Sequence, residues 1–197
     1  HIFTYHSFCN KIINENPEYF FDFKKFKLAS PLQRYELIEQ ILLELPDDSR
    51  VKRIIGDRYF DIIRFDKQYD NLKKEEKNAS QIILQTLEYV DRMAEIPDYQ
   101  YKKNSAQLKT TYYEDKGKFL RTIDVLKTYT SYLEKMKERQ WIDYHDMLLE
   151  VKSAFIKHPD LLLKYQEQYL YFLIDEFQDT NAIQNNIVLQ LISYWDE

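Results

Sequence analysis

Glycine is nearly missing from this chain: Gly56 and Gly117 are its only two in 197 residues, alongside five prolines. So few turn-formers argue for long helices and few tight β-turns. The same scarcity excludes a Gly-x-x-x-x-Gly-Lys-[Ser/Thr] phosphate loop within these residues. Cys9 is the sole cysteine, so no intrachain disulfide or cysteine-based zinc site can form, and a reducing, cytoplasmic setting is expected. No apolar run approaches the roughly 18 residues that a membrane span needs, and no signal peptide is visible, so no membrane partner is expected. The first residue is His1 rather than Met, and it runs straight into an apolar stretch. The expectation is a chain that begins inside a larger protein. The formal net charge of −5 gives no global basic signature, so any nucleic acid must bind through a local patch.

What is abundant is helical apolar periodicity. His1 to Tyr5 reads as a short strand, followed by a helix through Phe8, Ile12 and Ile13 that breaks before Pro17. A Phe-rich connector runs from Tyr19 to Phe26. Ser30-Pro31-Leu32-Gln33 is a strong helix start, with a cap, a proline suited to the first turn and a capping-box glutamine. Leu37, Ile38, Ile41, Leu42 and Leu45 supply the apolar face that follows. Val51 to Tyr69 and Ala79 to Ile96 also read as helices. Tyr99 to Tyr113 is irregular, and a long helix is expected from Phe119 to about Arg139, after Gly117. Its Leu120, Ile123, Leu126, Leu133 and Met136 are assigned to a core. Asp143 can cap the next helix, His158-Pro159 breaks the chain, and a short helix starts at Asp160. Tyr169 to Ile174 is continuously apolar and reads as a strand buried on both faces, as in a parallel sheet. A helix from about Ala182 to Trp195 comes last.

Two strands cannot make a sheet-based domain of their own. The expected architecture is therefore a mostly α-helical portion of an α/β domain, with a helical insertion and one or two residual strands.

Asp175 and Glu176 directly follow the apolar run. Ligands of open α/β sheets bind at the carboxyl ends of strands. An Asp there can hold magnesium in a phosphate site, while a neighbouring Glu orients and deprotonates the attacking water. An isolated Asp-Glu pair is more ordinarily a solvated loop. The longer run Leu173-Ile174-Asp175-Glu176-Phe177-Gln178-Asp179-Thr180-Asn181, with Gln184 three residues on, resembles motif II of the UvrD/Rep/PcrA group of superfamily 1 DNA helicases. Thr4-Tyr5-His6-Ser7-Phe8-Cys9 resembles that family's Thr-aromatic-His-Ser segment. Ile142-Asp143-Tyr144-His145-Asp146-Met147-Leu148 resembles its Asp-aromatic-x-Asp-Leu-Leu segment, with Met147 replacing the first leucine.

The resemblance implies an ATP-dependent DNA helicase of P-loop NTPase, RecA-like fold, using ATP and Mg2+ in the intact parent. It acts on single-stranded and duplex DNA in repair or recombination. It implies that Asp175 coordinates magnesium, that Glu176 is the catalytic base, and that Gln178 senses the γ-phosphate. It implies as well that Asp179 and Thr180 organise the loop and that Thr4 and His6 contact the DNA strand. It further implies three parts: residues 1–18 in the first RecA-like domain, 19–140 as a helical insertion like subdomain 1B, and 141–197 returning to the first domain. Without its phosphate loop the piece is expected to hydrolyse no ATP alone. Two alternatives stay open: the motor of a RecB/AddA-type helicase–nuclease, or a non-catalytic helical interaction module.

A lone histidine near a helix start is ordinarily structural, and His6 carries that reading beside the DNA one. His145 is expected on a helix surface, His158 at a pre-proline position, and Cys9 as a small buried residue. From Lys102 to Arg139 there are ten Lys or Arg against five Asp or Glu, and from Trp141 to Glu197 three against ten. The basic stretch carries Tyr99, Tyr101, Tyr112, Tyr113, Tyr129 and Tyr132. These either stack on bases beside phosphate contacts or pack on the core beneath a solvated face.

Overall fold

The computed structural model describes residues 2–54, 56–101 and 104–193; His1, Lys102, Lys103 and Trp195 lie outside them. The chain is mostly helical, with a few short strands. Helix α1 (Tyr5–Glu15) starts at Thr4, whose hydroxyl accepts from the Ser7 N–H while the Ser7 side chain closes the capping box. It ends at Asn16, before Pro17. Strand β1 (Lys27–Leu28) leads into α2 (Pro31–Glu44). Helix α3 (Arg58–Lys74) follows a 3-10 turn at Lys52–Ile54, so the single helix expected over 51–69 is two pieces. Asp57 marks the restart by accepting from the N–H groups of Tyr59 and Phe60 at 3.0 and 3.3 Å. Helix α4 (Ala79–Arg92) is capped by Asn78. Strands β2 (Gln100–Tyr101) and β3 (Asn104–Leu108) form an antiparallel pair in the stretch expected to be irregular.

Helix α5 (Thr110–Glu138) starts nine residues before the expected Phe119 and contains Gly117. A Cβ at Gly117 would meet nothing within 4 Å, so packing places no demand on that glycine. Its helix penalty of about 1 kcal/mol is spread over 29 residues. Strand β4 (Trp141–Ile142) pairs in parallel with β1. Then come α6 (Tyr144–Lys157), α7 (Pro159–Gln168) and α8 (Ala182–Ile192).

Both expected strands are absent. Thr4 serves as a helix cap and Tyr5 is already helical, so the local capping energy takes the segment that was read as a strand. Residues 171–174 form no strand either. Phe172 packs against the core, whereas Tyr171 and Leu173 are 88% and 98% exposed. A strand buried on both faces needs flanking strands, and no neighbour among the described residues pairs with this one.

The chain divides into two compact units. Unit 1 comprises His1–Ser30, Asp70–Glu76 and Met136–Glu197. In it α6 packs on α1, α7 and α8. Cys9, Ile12, Phe155, Tyr165, Ile183 and Ile187 lie among the buried residues of its core. Burial pushes the Cys9 thiol up to about 12, which fits the expected small buried residue and no nucleophile. Asn16 is buried yet satisfied, donating to the Ile12 carbonyl and to the Tyr165 hydroxyl at 2.7 Å each.

Unit 2 comprises Pro31–Tyr69 and Lys77–Lys135. Leu37, Ile38, Ile41 and Leu42 of α2 are buried as their spacing predicts, and so are Ile123 and Leu126 of α5. Tyr69 stacks near Tyr129 and Tyr132, with centroids at 5.3 and 5.0 Å, and its hydroxyl donates to Thr128 at 2.7 Å. Tyr112, Tyr129 and Tyr132 are therefore core residues, while Tyr101 and Tyr113 are exposed. Ion pairs Arg34–Asp66, Arg58–Glu39 and Lys135–Glu44 lie on its helices at 3.2, 2.8 and 3.0 Å.

Candidate functional site

The acidic turn begins where the extended residues 171–174 end. Glu176 has φ 49° and ψ 44°, a left-handed conformation. For a residue with a Cβ this costs on the order of 1–2 kcal/mol, and such strain collects at functional sites. Three backbone constraints hold the turn. The Glu176 N–H donates to Asp175 Oδ1 at 3.0 Å. Phe177–Asp179 forms a 3-10 turn, with the Asp179 N–H on the Glu176 carbonyl at 2.9 Å. The Thr180 hydroxyl donates to the Phe177 carbonyl at 2.8 Å. Asn181 and Gln184 then close a capping box at 3.0 and 3.1 Å that starts α8, and Ile183, Ile187 and Leu191 fix that helix in the core.

The result is a braced turn that presents its side chains to solvent. Asp175, Glu176, Phe177, Gln178 and Asp179 are all exposed. The Gln178 amide donates to the Glu176 carboxylate, so the structure brings these two together. Asp175, Glu176 and Asp179 make no ion pair among the described residues. Asp175 takes the backbone bond through one oxygen and is exposed, which is compatible with magnesium held by one or two carboxylates plus phosphate and water.

Thr4 and His6 lie at the amino terminus of α1. Thr4 is exposed, and its hydroxyl is engaged with Ser7. His6 is half-buried, with its ring 5.8 Å from Tyr144 and 5.9 Å from His145. Its Nε2 has no hydrogen-bond partner among the described residues. Burial holds its pKa below the ordinary 6.5; charge on His145 and Lys74 acts the same way and Asp143 opposes them.

A second acidic pair is built oppositely. Asp143 caps α6 by accepting from His145 and Asp146 N–H groups at 2.8 and 3.0 Å, and Asp146 returns the bond to the Asp143 N–H at 2.8 Å. The last turn of α3 supplies Lys73, whose ammonium reaches Asp143 at 2.7 Å and Asp146 at 2.8 Å with its side chain 6% exposed. Burial alone would raise the Asp143 carboxyl, but the Lys73 charge and hydrogen bond hold it below the usual range. Asp70 accepts from His145 Nε2 at 2.9 Å and is likewise lowered: burial opposes ionisation, and the His145 and Lys74 hydrogen bonds outweigh it. His145 is therefore an inward residue, contrary to the expected helix-surface position. His158 holds its expected place before Pro159, stacked near Tyr19 at 4.8 Å.

Asp70, Lys73 and Glu76 were missed by sequence reading. Glu76 accepts from both Lys152 and Asn186. In sequence, 70–76 lies past the helix expected over 51–69, and nothing in those residues points to Asp143 or Asp146.

The UvrD/REP helicase N-terminal domain family matches residues 1–195. A probable DNA helicase II homolog of Mycoplasma genitalium is 23% identical over 192 residues, covering 98% of this chain and 23% of the relative. The ATP-dependent DNA helicase PcrA of Staphylococcus aureus is 23% identical over 190 residues, covering 96% and 21%. A putative ATP-dependent DNA helicase, YjcD, of Bacillus subtilis is 42% identical over 69 residues, covering 35% and 9%. The chain thus spans under a quarter of the length of these curated relatives. With its match running across nearly all of its length, the chain belongs to the UvrD/REP helicase family, through that family's N-terminal domain.

Proposed function

We propose that this chain is part of an ATP-dependent DNA helicase that translocates on single-stranded DNA and unwinds duplex in repair or recombination. The observation that carries the reading is the braced, solvent-facing turn at Asp175–Thr180, with Glu176 in a left-handed backbone and Gln178 hydrogen-bonded to it. Asp175 is the residue for magnesium, which when bound neutralises phosphate charge beside the turn. Glu176 orients and deprotonates the attacking water, and its exposure leaves room for that water. Gln178, tied to Glu176, is placed to couple γ-phosphate occupancy to the carboxylate's position. Thr4 and His6 contact the DNA strand. With burial disfavouring its charged form, His6 acts there as a neutral group.

The exposed apolar residues Tyr171 and Leu173 are accounted for if residues 169–174 become a strand in the P-loop, RecA-like sheet of the parent. A cytoplasmic location goes with this reading. These 197 residues contain no phosphate loop, so alone they are expected to show negligible DNA-stimulated ATPase. The test is strand separation by the full-length parent, wild type against Glu176→Gln. Loss of unwinding with DNA binding retained is expected. Unwinding at the wild-type rate would reject the reading.

A further inference from the structure

The Phe-rich connector is left unused by the proposed motor chemistry. Phe20 is buried and Phe23 packs on the core of unit 1, which fixes the connector, yet Phe21 is 69% exposed. Lys24, Lys25 and Lys27 are exposed beside it. The parallel pairing of β1 with β4 sets Lys27 opposite Trp141, and the Lys27 N–H donates to the Gln140 carbonyl at 2.8 Å. The Arg139 guanidinium lies 5.0 Å from the Trp141 ring, and Lys137 is exposed nearby in sequence. The connector and its partner segment thus bring together Lys24, Lys25, Lys27, Lys137 and Arg139 against Asp22 and Glu138, an excess of three positive charges (five minus two) on a chain of net charge −5. Lys25 is paired with Asp22 at 2.7 Å, while Lys24 and Lys27 make no ion pair among the described residues.

We propose that this strip is a second, sequence-independent contact for single-stranded nucleic acid, with lysines on phosphates, and with Phe21, whose ring already carries the Lys25 ammonium at 4.5 Å, and the half-buried Trp141 offering ring surface to unpaired bases. The chemistry is that of stacking platforms set in a basic groove. The strip runs toward the first candidate contact: Tyr144, three residues after Trp141 and so within about 11 Å of it along the chain, is exposed and meets the His6 ring edge-on at 5.8 Å. The inference rests on the proposed function, a protein that moves on single-stranded DNA. A single strand fits better than duplex because stacking requires bases whose faces are free.

The test is fluorescence anisotropy of labelled oligo(dT) with the 197-residue chain across a salt series, comparing wild type, Lys24→Ala/Lys27→Ala and His6→Gln, each checked for folding by circular dichroism. The lysine pair is expected to weaken binding about fivefold or more at low salt. It is also expected to flatten the log–log salt slope by roughly 1.4, at about 0.7 per single-strand phosphate contact. Oligo(dT) is expected to quench tryptophan fluorescence, and Trp141→Phe to remove that quenching. If the lysine variant keeps wild-type affinity and slope while His6→Gln weakens binding, the strip is wrong and the first contact stands. If only the lysine variant weakens binding, the strip stands and the His6 reading falls. No binding by the wild-type chain at about 50 mM salt, where the electrostatic contribution is large, would overturn both. Full competition by heparin without quenching would reduce the strip to a general polyanion surface and overturn the proposal.

Discussion

Two pairs of carboxylates in this molecule are built in opposite ways. Asp143 and Asp146 sit at a helix start, closed into a capping box and locked by the buried Lys73 ammonium. Asp175 and Glu176 sit on a strained turn in open solvent with no cation among the described residues. In the first arrangement the Lys73 ammonium meets both carboxylates and backbone N–H groups complete the capping box from within the fold. The second leaves its charge for something that arrives from outside. Both lie in segments resembling helicase motifs, and the sequence already reads Asp143 as a helix cap and Asp175–Glu176 as the chemical pair. Burial and an internal cation supply the physical difference between them.

The comparison is sharpened most strongly at Lys73. Replacing it by Met leaves the buried Asp143 and half-buried Asp146 carboxylates without their cation, a change that costs roughly 3–5 kcal/mol. Chemical denaturation of the 197-residue chain should show that loss, and a change below about 1 kcal/mol would mean the pair is not dependent on Lys73. Next in size is Thr4→Ala, which removes the α1 cap and should cost about 1 kcal/mol. Thr4→Ser should recover most of it, and recovery is the readout because a serine hydroxyl serves the same bond.

The smallest effect is a pH dependence. The folded His6 holds its pKa below 6.5, so the unfolded chain binds the extra proton. Its contribution is therefore fully present above about 6.5 and is lost as pH falls below that value. Melting temperature followed from roughly pH 7.5 to 5 should decline, and His6→Gln should flatten the decline. The groups that face His6 in this window are His145, Asp143 and Lys74, with Tyr144 against its ring. An unchanged slope in the variant would show that His6 does not carry the decline.

Helix starts were the most legible feature where Pro31 and Asp143 mark them, because these act through local chemistry that survives without tertiary context. The start of α5 was missed because Gly117 reads as a breaker, while its site is open and its cost is absorbed by a long helix. The two-residue pair β1–β4 is too short to leave a periodic signal. The run Tyr169–Ile174 has a strand's composition but finds no partner here, so composition overstated its burial. At the candidate site, the acids and Gln178 were legible as a motif. The left-handed backbone at Glu176 was not, since glutamate carries no preference for that region.

The most direct measurement of the contrast is manganese binding, read by electron paramagnetic resonance, with the full-length parent and ADP, using Mn2+ in place of magnesium. Asp175→Asn should weaken Mn2+–nucleotide binding about tenfold or more, a loss of roughly 1.4 kcal/mol, with the melting temperature unchanged. Asp143→Asn should do the reverse, lowering the melting temperature and leaving Mn2+ binding intact. Wild-type Mn2+ affinity in Asp175→Asn would contradict the assignment of the exposed turn to the metal and the chemistry.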